Sequence, residues 1–392
     1  MEEIKKTSKI MLIASAVIPI IILAGMIAYI FGPGANLLDF GTPLPEITIE
    51  KIDFLDSKIV ATVRNTGPID VEVVQADVND RIQPAAIEPS KKLNRFTTSK
   101  VIIPFEWNEA EPYEIGLTVS DGTRFKKSVL AAAATPVPNF ELASYFAIIG
   151  TYVGIIPVMI GLLWFPFMAR MSKNKYKFFL ALTAGLLLFL GIDAIEEGLE
   201  ISSENFAGAF NGNLLVVTVV IISFLGLYYS SEKLVSRAAS STMTKPIAIG
   251  LMIAIGIGLH NLGEGLAIGA AISLGEIALS TFLIVGFTIH NTTEGIAIAA
   301  PMARVKPMIG KLAAMGMIAG TPAIFGAWIG GFSYSPFTAV VFLSIGAGAI
   351  FQVVLSIINW IRQDGEKTLS NAAVASGIAV GMIVMYLTSI LV

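Results

Sequence analysis

Nine stretches of this chain are apolar over about the thickness of a bilayer. The first, residues 10–31 (IMLIASAVIPIIILAGMIAYIF), is an unbroken run of 22. Eight more follow residue 140, at about 143–168, 178–199, 212–230, 246–272, 276–300, 308–331, 337–360 and 372–391. A helix of about 20 apolar residues crosses the hydrocarbon core, and inside lipid the backbone must satisfy its own hydrogen bonds, which favours helices. The expected fold is therefore an all-α polytopic membrane bundle of eight helices preceded by one N-terminal anchor. The composition agrees: 14% of residues are charged, against about 25% in soluble domains, and the mean hydropathy is +0.76.

The loops orient the helices. Loop 169–177 carries Arg170, Lys173, Lys175 and Lys177; 231–245 carries Lys233, Arg237 and Lys245; 301–311 carries Arg304, Lys306 and Lys311; 361–371 carries Arg362 and Lys367. The loops between these have no Lys or Arg. Basic residues stay in the cytoplasm, so the first helix of the bundle is expected to run inward and the C-terminus to end outside. Lys5, Lys6 and Lys9 precede the first apolar run, which assigns the N-terminus to the cytoplasm. That run exceeds the roughly 7–15 residues of a signal-peptide core and reads as an uncleaved anchor. The cell membrane is the expected location.

Residues 45–131 differ in character. They hold 11 of the 26 Lys+Arg, and short segments such as KIVATVRN (58–65) and IDVEVVQAD (69–77) alternate apolar with polar residues. Asn65-Thr66-Gly67-Pro68 and Asp121-Gly122 mark turns. Six or seven short strands in this length predict a small all-β sandwich of immunoglobulin-like type outside the cytoplasm. The expected division is 1–34 for the N-terminus and anchor, 45–131 for the β domain, 132–142 for a linker and 143–392 for the bundle. The sandwich has no histidine or cysteine, so protein or dimer contact suits it better than metal storage.

The chain has no cysteine and two histidines. That excludes a disulfide framework, a thiolate metal site, a catalytic thiol and any three-imidazole site within one chain. No basic run points to nucleic acid. Both histidines occupy the same place in a repeated word, LHNLGEGLAIGAA at 259–271 and IHNTTEGIAIAAP at 289–301. His260 and Glu264 are four residues apart and share a helix face, as do His290 and Glu294. His260 lies about 14 residues, or roughly 21 Å, into its helix, which is near the bilayer midplane. In antiparallel neighbours Glu264 is expected level with His290, and His260 with Glu294. Ionisable groups at that depth cost at least a few kcal/mol each and mark a site or a pathway. Two imidazoles and two carboxylates suit Zn²⁺ or another borderline first-row dication. Asn261 and Asn291 offer amide oxygens to a second, adjacent ion. On the second helix of the bundle, Asp193 and Glu197 form a stripe with Glu200; the first two read as a cation-attracting entrance.

From about 143 to 391 the chain resembles the ZIP family of divalent metal transporters, whose fourth and fifth membrane helices carry words of the type H-N-x-P-E-G. The resemblance implies transport of Zn²⁺ toward the cytoplasm, with Fe²⁺, Mn²⁺ or Cd²⁺ as companions. It also implies a homodimer in which metal-carrying helices move against a scaffold. On the matching positions His260, Glu264, His290 and Glu294 would hold the ion, with Asn261 and Asn291 joining the glutamates around a second. The metal is cargo and no separate cofactor is implied. DAIEEG (193–198) stands where the family has a word like H-L-L-P-E-A. The prolines before each glutamate are replaced by Gly263 and Thr293, and Thr321 precedes Pro322 where relatives often have glutamate. Helix seven lacks the family's glutamates, and the 231–245 loop its histidines. These departures bear on the second ion, the exit route and cytoplasmic sensing. The alternatives are a membrane metal-binding receptor and a metalloenzyme. The H-E-x-x-H of a zinc protease is absent, so the chain is not expected to be an enzyme.

Overall fold

The computed structural model describes residues 9–30, 44–135, 137–206, 211–238, 245–275, 277–303, 305, 309–362 and 371–390. Lys5, Lys6, Arg304, Lys306 and Lys367, which contribute to the expected orientation, lie outside them. The chain forms two units, Met1–Leu44 and Pro45–Val392. The first contributes one helix, α1 (Lys9–Ile30).

The second unit begins with nine antiparallel strands in two sheets: β1 (Ile47–Leu55), β2 (Lys58–Asn65), β3 (Val71–Val78), β4 (Arg81–Gln83), β5 (Ala86–Glu88), β6 (Lys92–Leu93), β7 (Thr98–Pro104), β8 (Tyr113–Val119) and β9 (Arg124–Val129). One sheet runs β1-β2-β7-β5; the other runs β4-β3-β8-β9, with β6 also paired to β3. Alternate residues of the two faces, among them Ile59, Val63, Val101, Ile103, Ile115 and Leu117, bury a common core. The turn after β2 is locked by Asn65, which is buried. Its amide donates to Ile69 O at 2.7 Å and Leu93 O at 2.9 Å, while its oxygen accepts from Gly67 N at 3.0 Å. On the second sheet Lys126 and Arg124 hold the Glu114 carboxyl below the ordinary glutamate range. The stretch after β9 is not free of the sheets: Thr135 N donates to Phe54 O at 2.8 Å, and Phe54 N to Thr135 Oγ1 at 2.9 Å.

A helical bundle follows: α2 (Phe140–Met168), α3 (Lys173–Asn205), α4 (Gly212–Ala238), α5 (Lys245–Ser273), α6 (Ile277–Ala299), α7 (Ile309–Ser333), α8 (Pro336–Arg362) and α9 (Ala372–Ile390). Seven of these, α2 to α8, are long and apolar enough to cross a membrane; α9 is apolar but shorter. Asn139 caps α2 by accepting from Leu142 N at 2.7 Å. Two helices are irregular. In α2 a wide π turn covers Thr151–Ile155 ahead of Pro157. In α7 the helix breaks at Thr321, before Pro322. Helices α5 and α6 run unbroken through the repeated words, as the loss of the prolines leads one to expect.

Packing sorts the helices. α3 lies against α8 and α9, and α8 against α4. α5 lies against α6, α7 and α8, and α6 against α2. Small residues allow the closest approaches. A side chain added at Gly265 of α5 would stand 2.9 Å from Ala323 Cα of α7, and one at Gly295 of α6 would stand 2.8 Å from Gly161 Cα of α2. The end of α3 (203–206) lines a cleft with Glu46–Ile49 and Phe125–Lys127 of the sandwich. That contact defines a sandwich end of the bundle.

Candidate metal centre

Helical spacing places His260 and Glu264 on one face of α5, and the His260 Nε2 to Glu264 Oε1 distance is 3.0 Å. His290 reaches the same oxygen from α6 through its own Nε2. An ionised carboxylate has only lone pairs to offer, so each imidazole facing it donates. The other oxygen, Glu264 Oε2, accepts from the Asn291 amide at 3.0 Å. All four residues are buried. Three donors on two helices thus converge on one carboxylate, and the imidazole centroids are 6.5 Å apart.

His260, Glu264 and His290 are the one group of three or more potential ligands gathered among the described residues, with ligand atoms all within 4.8 Å of one another. Ligands 2.0–2.2 Å from a tetrahedral Zn²⁺ stand about 3.4 Å apart. Side-chain adjustment of under about 1.5 Å therefore suffices for these three to share an ion.

The two asparagines are anchored to backbone. The Asn261 amide donates to Ala319 O at 3.1 Å, two residues before the break in α7. The Asn291 amide donates to Val153 O at 3.1 Å, inside the π turn of α2. In a regular helix the Val153 carbonyl would accept from residue 157, which is a proline with no N–H. The amide of Asn291 supplies the missing donor. Because the carbonyls require the amide nitrogens, Asn261 Oδ1 and Asn291 Oδ1 are left without hydrogen-bond partners. Both remain free to act as ligands.

Glu294 is placed differently from the symmetrical arrangement expected of the repeat. It is buried, yet neither oxygen completes a hydrogen bond, and it stands outside the three-residue cluster. The Asn261 amide, which donates to Ala319 O, also lies within interaction range of it. The packing around the two helices differs as well. On α8, Gly346 and Ala349 let the backbone come up to α5: a side chain at Gly346 would lie 3.1 Å from His260 Cα. On α3, the bulkier Leu186, Leu187 and Leu190 stand off α6 and leave cavities.

Two cavities flank His290. The one toward the sandwich end has about 180 Å³ and is lined by Asp193, Glu197, Phe287 and Ser389 among others. Asp193 is exposed and Glu197 half-buried. The other cavity is small and lined by Thr183, Leu187, Thr293, Glu294 and Ala297 among others. Leu190, His290 and Met385 line both. Thr321 is half-buried at the α7 break.

The residue that sequence reasoning did not single out is Thr183. A hydroxyl inside an apolar helix was its only signal. The backbone acceptors were also missed, although Pro157 and Pro322 mark where helices α2 and α7 expose carbonyls. No family model matches the chain, and no curated protein sequence matches it.

Proposed function

We propose that this chain is a membrane transporter of divalent metal cations, similar in plan to the ZIP family, with Zn²⁺ as the leading substrate and no enzymatic activity. One observation carries this reading: His260 and His290 converge on Glu264 deep in the bundle, and His290 borders two cavities. Imidazole and carboxylate together select borderline dications such as Zn²⁺. One buried carboxylate offsets part of the ion's charge, and the desolvation cost of a bare dication makes such offsetting necessary.

Asp193 and Glu197 give the larger cavity an acidic lining that raises the local cation concentration. The ion then exchanges its water for His260, Glu264 and His290, with the free oxygens of Asn261 and Asn291 beside them. Transfer to the other side requires α2, α5, α6 and α7 to shift against α3, α4, α8 and α9. The cavities along the α3–α6 seam make that boundary the natural place for movement. The strand order β1-β2-β7-β5 facing β4-β3-β8-β9 supports an immunoglobulin-like reading of the sandwich. Helix α4 buries the least of the seven spans, and its exposed Val217, Ile221 and Leu225 suit lipid or the second copy of a homodimer.

The deciding experiment is uptake of radiolabelled Zn²⁺ into proteoliposomes holding the full chain. Saturable uptake is expected. Tight Zn²⁺ binding with no flux above empty vesicles overturns transport and leaves a receptor. Orientation has its own check. A cysteine at Asp56, exposed between β1 and β2, is expected to react with an impermeant thiol reagent on intact cells. One at Lys175 is expected to react only after permeabilisation, and the reverse pattern refutes movement toward the cytoplasm.

A further inference from the structure

We propose that Thr183 and Glu294 form a second, separate stop for the transported cation, on the far side of His290 from the sandwich end. The inference rests on the transport reading for its cargo, and on the following geometry for its place.

Hydroxyls inside helices normally return a hydrogen bond to a carbonyl one turn back. This bundle follows the rule at Ser144, Thr151, Ser230, Thr288, Thr292 and Ser344. Thr183 does not. It is 1% exposed, and its Oγ1 has no hydrogen-bond partner. It lines the small cavity together with Glu294, whose two oxygens are also without partners. Thr293, the neighbouring hydroxyl, is committed to His290 O at 2.6 Å. Three buried oxygens with unused lone pairs thus border one space.

The space fits one small body. Its free volume is about 10 Å³, which is about one water or one ion. A carboxylate there favours a cation. The donor set is oxygen only, harder than the imidazole-bearing site. It should therefore hold a borderline dication more weakly, as a site that must release its ion requires. Glu294 lies one turn beyond His290 on α6, about 6 Å along the axis. His290 borders both cavities together with Leu190 and Met385, so it stands between the two stops as a ligand of the first alone.

The test uses Thr183→Val, which keeps the volume and removes the hydroxyl. Since that hydroxyl has no partner, the variant is expected to melt at or above the wild-type temperature in detergent. Its Zn²⁺ affinity by calorimetry should stay within about twofold, because the His260–Glu264–His290 site is untouched. Its maximal uptake rate should fall about tenfold at unchanged KM, and Thr183→Ser should restore it. These magnitudes follow the usual effect of removing one ligand-supporting group. A Thr183→Val rate within twofold of wild type overturns the proposal. A second arm does not depend on flux. In Glu264→Gln, electron paramagnetic resonance with millimolar Mn²⁺ should register one bound ion that disappears when Thr183→Val is added. A signal indifferent to Thr183, or no signal, overturns the second stop. Absence of flux in the wild type refutes transport instead.

Discussion

The words at 259–271 and 289–301 are nearly the same in sequence and differ sharply in surroundings. In the first, Glu264 receives two imidazoles and an amide. In the second, Glu294 receives no hydrogen bond. Each helix offers histidine, asparagine and glutamate at the same spacing, so neither local sequence nor helical period accounts for the difference. The neighbours of the two helices do differ. Glycine and alanine on α8 bring its backbone against α5 and close that side, whereas leucines on α3 hold it away from α6 and leave room. A repeat thus yields one assembled site and one poised carboxylate.

The largest test of this contrast is at the two glutamates. Glu264→Gln is expected to weaken Zn²⁺ binding by at least about 100-fold, because it removes the charge on which both imidazoles converge; calorimetry reads it. Glu294→Gln is expected to leave that affinity within about threefold and to lower the maximal uptake rate at least about tenfold. Equal losses of affinity in the two variants would show that the glutamates act as equivalent ligands, and the asymmetry would have no functional meaning.

The asparagines sharpen the comparison at the next level. Asn291 serves both Val153 O and Glu264, whereas the Asn261 amide serves Ala319 O. Each alanine variant leaves a backbone carbonyl without a donor, at about 0.5–1.5 kcal/mol in a membrane interior, read as a lowered melting temperature. Only Asn291→Ala should also weaken Zn²⁺, by about three- to tenfold. A larger affinity loss for Asn261→Ala would reverse the assignment of roles.

The smallest effect belongs to the cavity mouth. Asp193→Asn should slow uptake a few-fold at limiting metal and low salt, and not at saturating metal, since it acts on local ion concentration. An equal loss at saturation would move Asp193 from the entrance into the transport step.

Much of this was readable in advance, for reasons that can be named. Period-two alternation in 45–131 brought out the sheets, and Asn65-Thr66-Gly67-Pro68 makes the turn that its chemistry indicates. Sequence reading found fewer strands than the nine present, because β4, β5 and β6 have three residues or fewer, too short for any period to register. The missing prolines at 263 and 293 led to the expectation of unbroken helices, and α5 and α6 are unbroken. Glu294, expected in a four-ligand set, stands outside the cluster of His260, Glu264 and His290.

The sequence alone determined the long apolar helices and which side chains share a face of them. Apolar length requires helices in lipid, and the interval of four residues sets His260 beside Glu264 whatever else is near. Which glutamate gathers the donors was decided only in the tertiary structure. A helix specifies the angle between its own side chains, but its rotation about its axis follows from the neighbours that let it approach. Here that rotation depends on a proline that frees the Val153 carbonyl for Asn291, and on the sizes of residues on α8 and α3. Those contacts join positions far apart in the chain, Val153 with Asn291 and His260 with Gly346 among them, which a local pattern does not encode.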